Sequence, residues 1–184
     1  QSVSAAMDVE AAQVTVTLGD TANAPAGIGA LASRATAIGG SAVQEACKQI
    51  KERQAAGEAA PLTVELRYEN KGQAWGYGAY LVLLSVDAET GVPCIEQVSC
   101  VDDAGTLIDP DQVRDQIVGG FAQGFGEAMM ERVVYDEDGQ LQTGSFMDYA
   151  MPRATDVPPL RIDKMETPSP MNSLGAKGVG EAGT

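Results

Sequence analysis

A four-residue apolar repeat interrupted by glycines constrains this chain more than any other stretch. The repeat follows Asp109-Pro110, and its apolar members are Val113, Ile117, Phe121, Phe125 and Met129. That spacing predicts a helix with one buried face and with proline near its first turn. The same helix contains Gly119, Gly120, Gly124 and Gly126. Each glycine costs about 1 kcal/mol relative to Ala inside a helix. We therefore expect another backbone, or a cofactor, to approach this helix closely, with Gln123 offering a donor and an acceptor.

A second helix is predicted from Ala35 onward. Its apolar face consists of Ile38, Ala42, Ala46 and Ile50, and cations gather near its end, where they complement the helix dipole. Ser33-Arg34-Ala35-Thr36 then lies at or just before a helix N-terminus. Main-chain N–H groups there suit a phosphate or another acceptor-rich ligand. Capping of the helix by Ser33 or Thr36 explains the same residues equally well.

The end of the chain is rich in glycine. Four glycines fall between Gly175 and Gly183, and Glu181 is the carboxylate among them. Glycines let a backbone turn sharply and expose its N–H groups, and a carboxylate on such a loop is a candidate general base. A flexible, glycine-rich segment with an incidental glutamate would give the same pattern.

The remaining patterns predict strands and turns. Alternation predicts strands at Val14–Leu18 and Leu62–Tyr68, and a loop is predicted at Asn23–Gly29. Ala79–Val86 reads as a buried strand that forms an antiparallel hairpin with Cys94–Val101. Further predictions are a solvated turn at Asp102–Gly105, a hairpin across Val133–Phe146, a last strand at Leu160–Glu166 and a helix end within Val3–Ala12. The fold class is therefore α+β, with mixed helices and mostly antiparallel strands.

Composition excludes several kinds of function. The chain has 184 residues, no histidine and a net charge of −14. Acidic surfaces repel phosphate backbones, so we expect no nucleic-acid binding. Cys47, Cys94 and Cys100 form no Cys-x-x-Cys pair, so we expect buried free thiols, a cytoplasmic location and no metal ligands from this chain. No apolar run reaches the ~18 residues of a membrane span. Trp75, in a glycine-containing loop, is assigned only a packing role.

Several segments in order along the chain resemble the molybdenum hydroxylases. The segment Thr167-Pro168-Ser169-Pro170, with Asn172 and Leu174–Gly183, is similar to the C-terminal signature of the large subunit in the xanthine dehydrogenase and aldehyde oxidoreductase family. Ser33–Thr36 with Gly39–Ala42, Gly119–Gly126 and Thr143–Tyr149 resemble further family segments. Ala104 departs from the family, which often has cysteine there. Residues 1–184 are then expected to be an internal fragment of the molybdopterin-binding domain, inactive alone.

The resemblance implies a role for each motif. Glu181 corresponds to the base beside the molybdenum. Contacts to the molybdopterin cofactor, expected in its cytosine dinucleotide form, are implied for Ser33, Arg34, Ala35, Thr36, Gln123, Gly178, Val179 and Gly180. The molybdenum is held by the pterin, so no metal ligand is assigned to this chain.

The resemblance also implies a reaction and partners. The reaction is hydroxylation of an electron-poor carbon in a purine, N-heterocycle or aldehyde, with water as the oxygen source. Electrons leave through [2Fe–2S] clusters to FAD on partner subunits, in a dimer of heterotrimers. Carbon monoxide oxidation is an alternative, although the Gly-Glu-Ala-Gly ending fits the heterocycle and aldehyde enzymes better. A cofactor-free structural relative and a generic acidic binding module are also compatible with the sequence.

Overall fold

The computed structural model describes residues 1–24, 26–27 and 29–183, and the chain divides into two compact units. Unit 1 comprises Gln1–Trp75, Gly105–Ile108 and Glu166–Gly178. Unit 2 comprises Gly76–Ala104, Asp109–Met165 and Val179–Thr184. The loop predicted at Asn23–Gly29 includes residues 25 and 28, which lie outside the described residues. The assignment of residues 1–184 to one cofactor-binding domain stays a prediction.

Unit 1 contains two α-helices. Helix α1 spans Ser2–Met7 and packs against α2, which spans Ser41–Ala55 and directly follows a π-helical turn at Thr36–Gly40. The predicted helix after Ala35 is thereby confirmed. Its end is closed by Gly57 at φ 82° and by a hydrogen bond from the Glu58 N–H to the Arg53 carbonyl. Helix α1 is shorter than predicted because Asp8 adopts a left-handed conformation.

Two strands predicted in unit 1 do not form. Val14–Leu18 and Leu62–Tyr68 have no strand assignment, and the Val16 and Leu18 side chains are 69% and 79% exposed. An alternating pattern makes a strand only where a neighbouring strand supplies hydrogen bonds. No described residue pairs with either segment in a sheet.

Unit 2 contains a three-stranded sheet in the order β1-β2-β3. Strand β1 spans Tyr77–Val86, β2 spans Pro93–Asp103 and β3 spans Leu160–Met165. The β1–β2 hairpin is antiparallel, as predicted, whereas β3 runs parallel to β2. The described chain also contains two isolated bridges, and both are antiparallel, like the β1–β2 hairpin. The predicted α+β class is confirmed.

Burial within the sheet differs from the prediction. Val98 and Cys100 on β2 are buried, but Leu81 and Leu83 on β1 are 71% and 61% exposed, so β1 is not the buried strand expected. The predicted solvated turn at Asp102–Gly105 is also wrong, because Asp102 belongs to the end of β2 and its side chain is buried. Asp103 beside it is buried as well.

Asp102 has two neighbours on β1 that explain its burial. The Tyr80 hydroxyl donates a hydrogen bond of 2.7 Å to Asp102 Oδ2, and burial followed by this hydrogen bond raises the pKa of Tyr80. Gly78 lies directly opposite Asp102, and a Cβ there would be 2.1 Å from Asp102 Oδ1. The cross-strand glycine therefore makes room for the carboxylate.

Helix α3 of unit 2 spans Pro110–Met129 and confirms the predicted helix. Asp109 caps it by accepting a hydrogen bond from the Gln112 N–H, and Pro110 occupies the first turn. Ile117 and Phe121 are buried in the predicted stripe, but Met129 is exposed. The predicted Val133–Phe146 hairpin is reduced to one bridge between Tyr135 and Leu141.

The structure also bears on the predictions for the cysteines, for Trp75 and for membrane spans. All three cysteines are free, as expected, but Cys94 is exposed whereas Cys47 and Cys100 are buried. Trp75 is 73% exposed and does not have the packing role assigned to it. Among the described residues, no helix is both long enough and apolar enough to cross a membrane.

Candidate functional site

The segment before α2 has an uncommon backbone. Ala32 and Ser33 both have positive φ, at 52° and 51°, which non-glycine residues adopt infrequently. Such conformations are enriched at active sites and ligand clamps. The π-helical turn that follows is a second feature common at functional sites. Its N-cap is Ala35, whose side chain makes no capping hydrogen bond. The N-cap position is therefore occupied by neither Ser33 nor Thr36.

Two sequence-predicted segments meet within unit 1. A Cβ at Gly178 would lie 2.5 Å from the Ser33 Cβ and 2.7 Å from the Ser33 carbonyl oxygen. A Cβ at Gly40 would lie 2.6 Å from Leu174 Cδ1. The glycine-rich segment thus lies against the Ser33 segment, and glycine is required at position 178 for this approach.

A compact loop holds that segment in place. The Asn172 side chain donates to the Ala176 carbonyl at 2.8 Å and accepts from the Ala176 N–H at 3.1 Å. The Gly175 carbonyl accepts from the N–H groups of Thr106 and Ser169, both at 2.9 Å. Because Asn172 and Ala176 are both buried, these bonds are shielded from water.

Residues 179–183, called the Glu181 segment, are held within unit 2 by α3. Gln116 Nε2 donates to the Gly180 carbonyl at 3.3 Å, and a Cβ at Gly120 would lie 1.9 Å from the Ala182 carbonyl oxygen. Gly183, at φ 82°, lies against the main chain of Phe121. The close approach predicted for the glycines of α3 is therefore made at Gly120 by a backbone.

The contacts of α3 fall on one face. Gln116, Gly120 and Gln123 are spaced i, i+4 and i+7, which places them on the same side of a helix. Gln123 and Glu181 are both exposed. Gln123 thus lies on the helix face that carries the docked segment, and Gly180 lies in that segment. Both are site residues of unit 2 that the sequence predicted.

For the other predicted contact residues the structure gives burial and main-chain hydrogen bonds. Arg34 is half-buried, and its carbonyl accepts from the Ile38 N–H at 2.9 Å, whereas Ala35 and Thr36 are exposed. Val179 is half-buried, and its carbonyl accepts from the Ala182 N–H at 3.2 Å. A role in cofactor binding stays a prediction for each of them.

The predicted segments offer mainly main-chain groups to a ligand. The described residues contain no group of three histidine, cysteine, aspartate or glutamate side chains that could hold a metal ion. What the segments offer instead is main chain at glycines, where a cofactor can approach closely. The Ser41 hydroxyl at the start of α2 is fully buried and has no hydrogen-bond partner in the described chain. A buried polar atom of this kind is common beside a ligand or an ordered water.

A groove of about 570 Å³ lies elsewhere, on the sheet of unit 2. Its lining includes Leu81, Cys100, Arg161 and Asp163 and none of the predicted site residues. The groove is therefore distinct from the glycine-rich segments.

Sequence reasoning missed Gln116 and Asn172 as residues that hold these segments. Gln116 lies one helical turn before Gly120, and that spacing was the available signal. Asn172 lies inside the C-terminal motif, but its partner, the Ala176 main chain, is defined only by the folded loop.

The described fold is α+β, and its glycines let main-chain segments approach one another closely at Gly178 and Gly120. Residues 1–68 and 53–158 match the family of the molybdopterin cofactor-binding domain. The chain belongs to this family, within the molybdenum-dependent oxidoreductases of the xanthine, aldehyde and carbon monoxide dehydrogenase type.

Individual relatives support the assignment. The nicotine 6-hydroxylase large subunit of Paenarthrobacter nicotinovorans is 42% identical over 58% of this chain and 13% of its own length. The carbon monoxide dehydrogenase large chain of Hydrogenophaga pseudoflava is 28% identical over 99% of this chain and 28% of its own. The structure of reconstituted carbon monoxide dehydrogenase from Oligotropha carboxidovorans superposes with a TM-score of 0.88 at 26% identity. The superposition covers 99% of this chain and 28% of that chain. The matches thus cover between 13% and 28% of the length of these relatives.

Proposed function

We propose that this chain forms part of the molybdopterin-binding site of an enzyme that hydroxylates an electron-poor carbon, with water as the oxygen source. The substrate class is an N-heterocycle, a purine or an aldehyde. The observation that carries the proposal is the docking of the Glu181 segment on α3 through Gln116 and Gly120. It presents one exposed carboxylate from a held main chain, as a general base requires.

The chain's own residues perform two tasks in this proposal. Ser33, Arg34, Ala35 and Thr36 bind the pterin from the segment before α2, and Gly178 permits the close packing of that segment. Gln123, Val179 and Gly180 contact the cofactor from α3 and the docked loop. The bound cofactor supplies the two-electron redox chemistry.

Glu181 moves the proton. Its carboxylate accepts the proton released when the oxygen of water is transferred to the substrate carbon. The docked main chain on both sides of Glu181 holds its Cα in one place, so that proton transfer does not require ordering of the loop first.

The proposal extends to partners. The electrons leave through [2Fe–2S] clusters and FAD on separate subunits, in a dimer of heterotrimers. The cofactor is the cytosine dinucleotide form, and the enzyme is cytoplasmic. The three free cysteines, which are typical of a reducing compartment, support that location.

Carbon monoxide oxidation is the second candidate. It is supported by whole-chain similarity to carbon monoxide dehydrogenases in sequence and in structure. The Gly-Glu-Ala-Gly ending, Gly180–Gly183, resembles the heterocycle and aldehyde enzymes more than the carbon monoxide enzymes, and this favours the first candidate. Turnover assays of the assembled enzyme with carbon monoxide, an N-heterocycle, a purine and an aldehyde distinguish the two.

The test of the base is Glu181→Gln in the assembled enzyme. The amide keeps the shape of the side chain but cannot accept the proton, so we expect turnover to fall at least ~10³-fold. Molybdenum content should stay at the wild-type level, because the cofactor contacts are unchanged. Glu137→Gln, at an exposed position of the same unit, is the matched control and should turn over normally. Wild-type turnover of Glu181→Gln would refute the proposal.

A further inference from the structure

Helix α3 fixes the main chain on both sides of Glu181. The carbonyl of the residue before it, Gly180, accepts the hydrogen bond from Gln116. The carbonyl of the residue after it, Ala182, lies over Gly120. Because the two contacts flank Glu181 and are one helical turn apart, they determine where its Cα lies relative to the helix.

We infer that Gln116 and Gly120 are positioning residues for the Glu181 carboxylate, an inference that rests on the proposed function. Neither residue needs to touch the substrate or the cofactor. Their task is to remove the freedom of a glycine-rich segment in which each ordered residue otherwise costs about 1–2 kcal/mol. A displacement of about 1 Å at a catalytic group can cost about 10²-fold in rate.

The contacts differ in kind, which makes the inference testable in two independent ways. Gln116 contributes a single donor, so its contribution is removed by losing that N–H group. Gly120 contributes empty space, since any Cβ there collides with the Ala182 carbonyl. Gly119 is its natural control, because a Cβ at that position meets no described atom within 4 Å.

The first experiment compares Gln116→Leu with Gln112→Leu in the assembled enzyme. Gln112 lies one turn earlier on α3 and is also exposed. Loss of one hydrogen bond of about 1 kcal/mol should speed hydrogen exchange of the amides of residues 179–183 about fivefold in Gln116→Leu. Because Glu181 can still reach its wild-type position at that cost, kcat should fall by up to about fivefold, while KM and molybdenum content stay unchanged. Gln116→Arg, which retains an N–H donor, should recover most of kcat, and Gln112→Leu should resemble wild type.

The second experiment compares Gly120→Ala with Gly119→Ala. Gly120→Ala must displace the Ala182 carbonyl, so we expect a larger fall in kcat than in Gln116→Leu and faster exchange of the same amides. Gly119→Ala should keep wild-type kcat, and the amides of α3 should exchange about fivefold more slowly, because alanine favours a helix more than glycine does. If Gly120→Ala does not fold, the Gln116 variants still decide the question.

The outcomes separate this inference from the proposed function. Equal kcat and equal amide exchange in Gln116→Leu and Gln112→Leu would overturn the inference. Faster exchange with unchanged kcat would also overturn it, and would leave the proposed function intact if Glu181→Gln has lost turnover. Wild-type turnover in Glu181→Gln would overturn both, whatever the exchange rates.

Discussion

Asn172→Ala tests whether the loop that precedes Gly178 is held by one side chain. The amide of Asn172 forms two hydrogen bonds to the Ala176 main chain, at 2.8 Å and 3.1 Å. Ala176 is 2% exposed and Asn172 is 7% exposed, so water does not readily replace the lost partner. The substitution therefore leaves one buried N–H and one buried carbonyl without that partner.

The expected magnitude follows from these two groups. Each unsatisfied buried group costs about 1–3 kcal/mol, so Asn172→Ala should destabilise unit 1 by about 2–6 kcal/mol. At about 2–4 °C per kcal/mol for a chain of this size, even the lower bound corresponds to a Tm decrease of about 4–8 °C. Asn23→Ala removes a hydrogen bond between exposed side chains, Asn23 to Asp20, and should stay within about 0.5 kcal/mol of wild type.

The assay combines thermal unfolding with hydrogen exchange at the Ala176 amide. Two compact units need not unfold together, so the amide reports the loop directly where a single Tm does not. We expect at least about 30-fold faster exchange at Ala176 in Asn172→Ala, the factor that corresponds to about 2 kcal/mol. Equal exchange and equal Tm in Asn172→Ala and Asn23→Ala would refute the role given to this side chain.

Three further predictions follow from the described contacts and the proposed site. Arg34→Glu, or replacement of Gln123 by a bulky apolar residue, should lower molybdenum content rather than turnover per molybdenum, and full molybdenum with lost activity would contradict the binding role. In wild type the raised pKa of Tyr80 means that folding stability falls as pH rises above the ordinary value of about 10.0. Tyr80→Phe should show a smaller alkaline decrease in urea titrations, and an unchanged decrease would assign it to Cys100 and Tyr149, whose pKa values are also raised. Thiol titration of the denatured, unreduced chain should count three thiols, and a Cys94–Cys100 disulfide would contradict the free cysteines.

The parts of the fold that sequence predicted are those whose signals are local. Helix α3 follows from a repeat, a cap and a proline that lie within one segment. The β1–β2 hairpin follows from two apolar runs joined by a short turn. The glycine cost in α3 also predicted a close neighbour, although it could not identify Ala182, which lies 62 positions beyond Gly120.

The parts that sequence did not predict depend on a partner far along the chain. Val14–Leu18 alternates as a strand does, but the described chain supplies no neighbour for it. Asp102 appears in a turn-like Asp-Asp-Ala-Gly run, yet its burial depends on Tyr80 and Gly78 of the opposite strand. Gln116 is one of several exposed polar residues on α3, and only the folded Gly180 main chain distinguishes it from the others.

Strand β1 has a practical consequence for handling this chain. It forms one edge of the described sheet, its ten residues include no charge and no proline, and Leu81 and Leu83 point into solvent. Edge strands without such protection pair readily with strands of other molecules. Concentrated preparations of the chain will therefore tend to form β-rich aggregates through this edge. The single substitution Leu83→Lys opposes such strand pairing by adding a charge to the edge strand, and it leaves the hydrogen-bonded register with β2 unaltered.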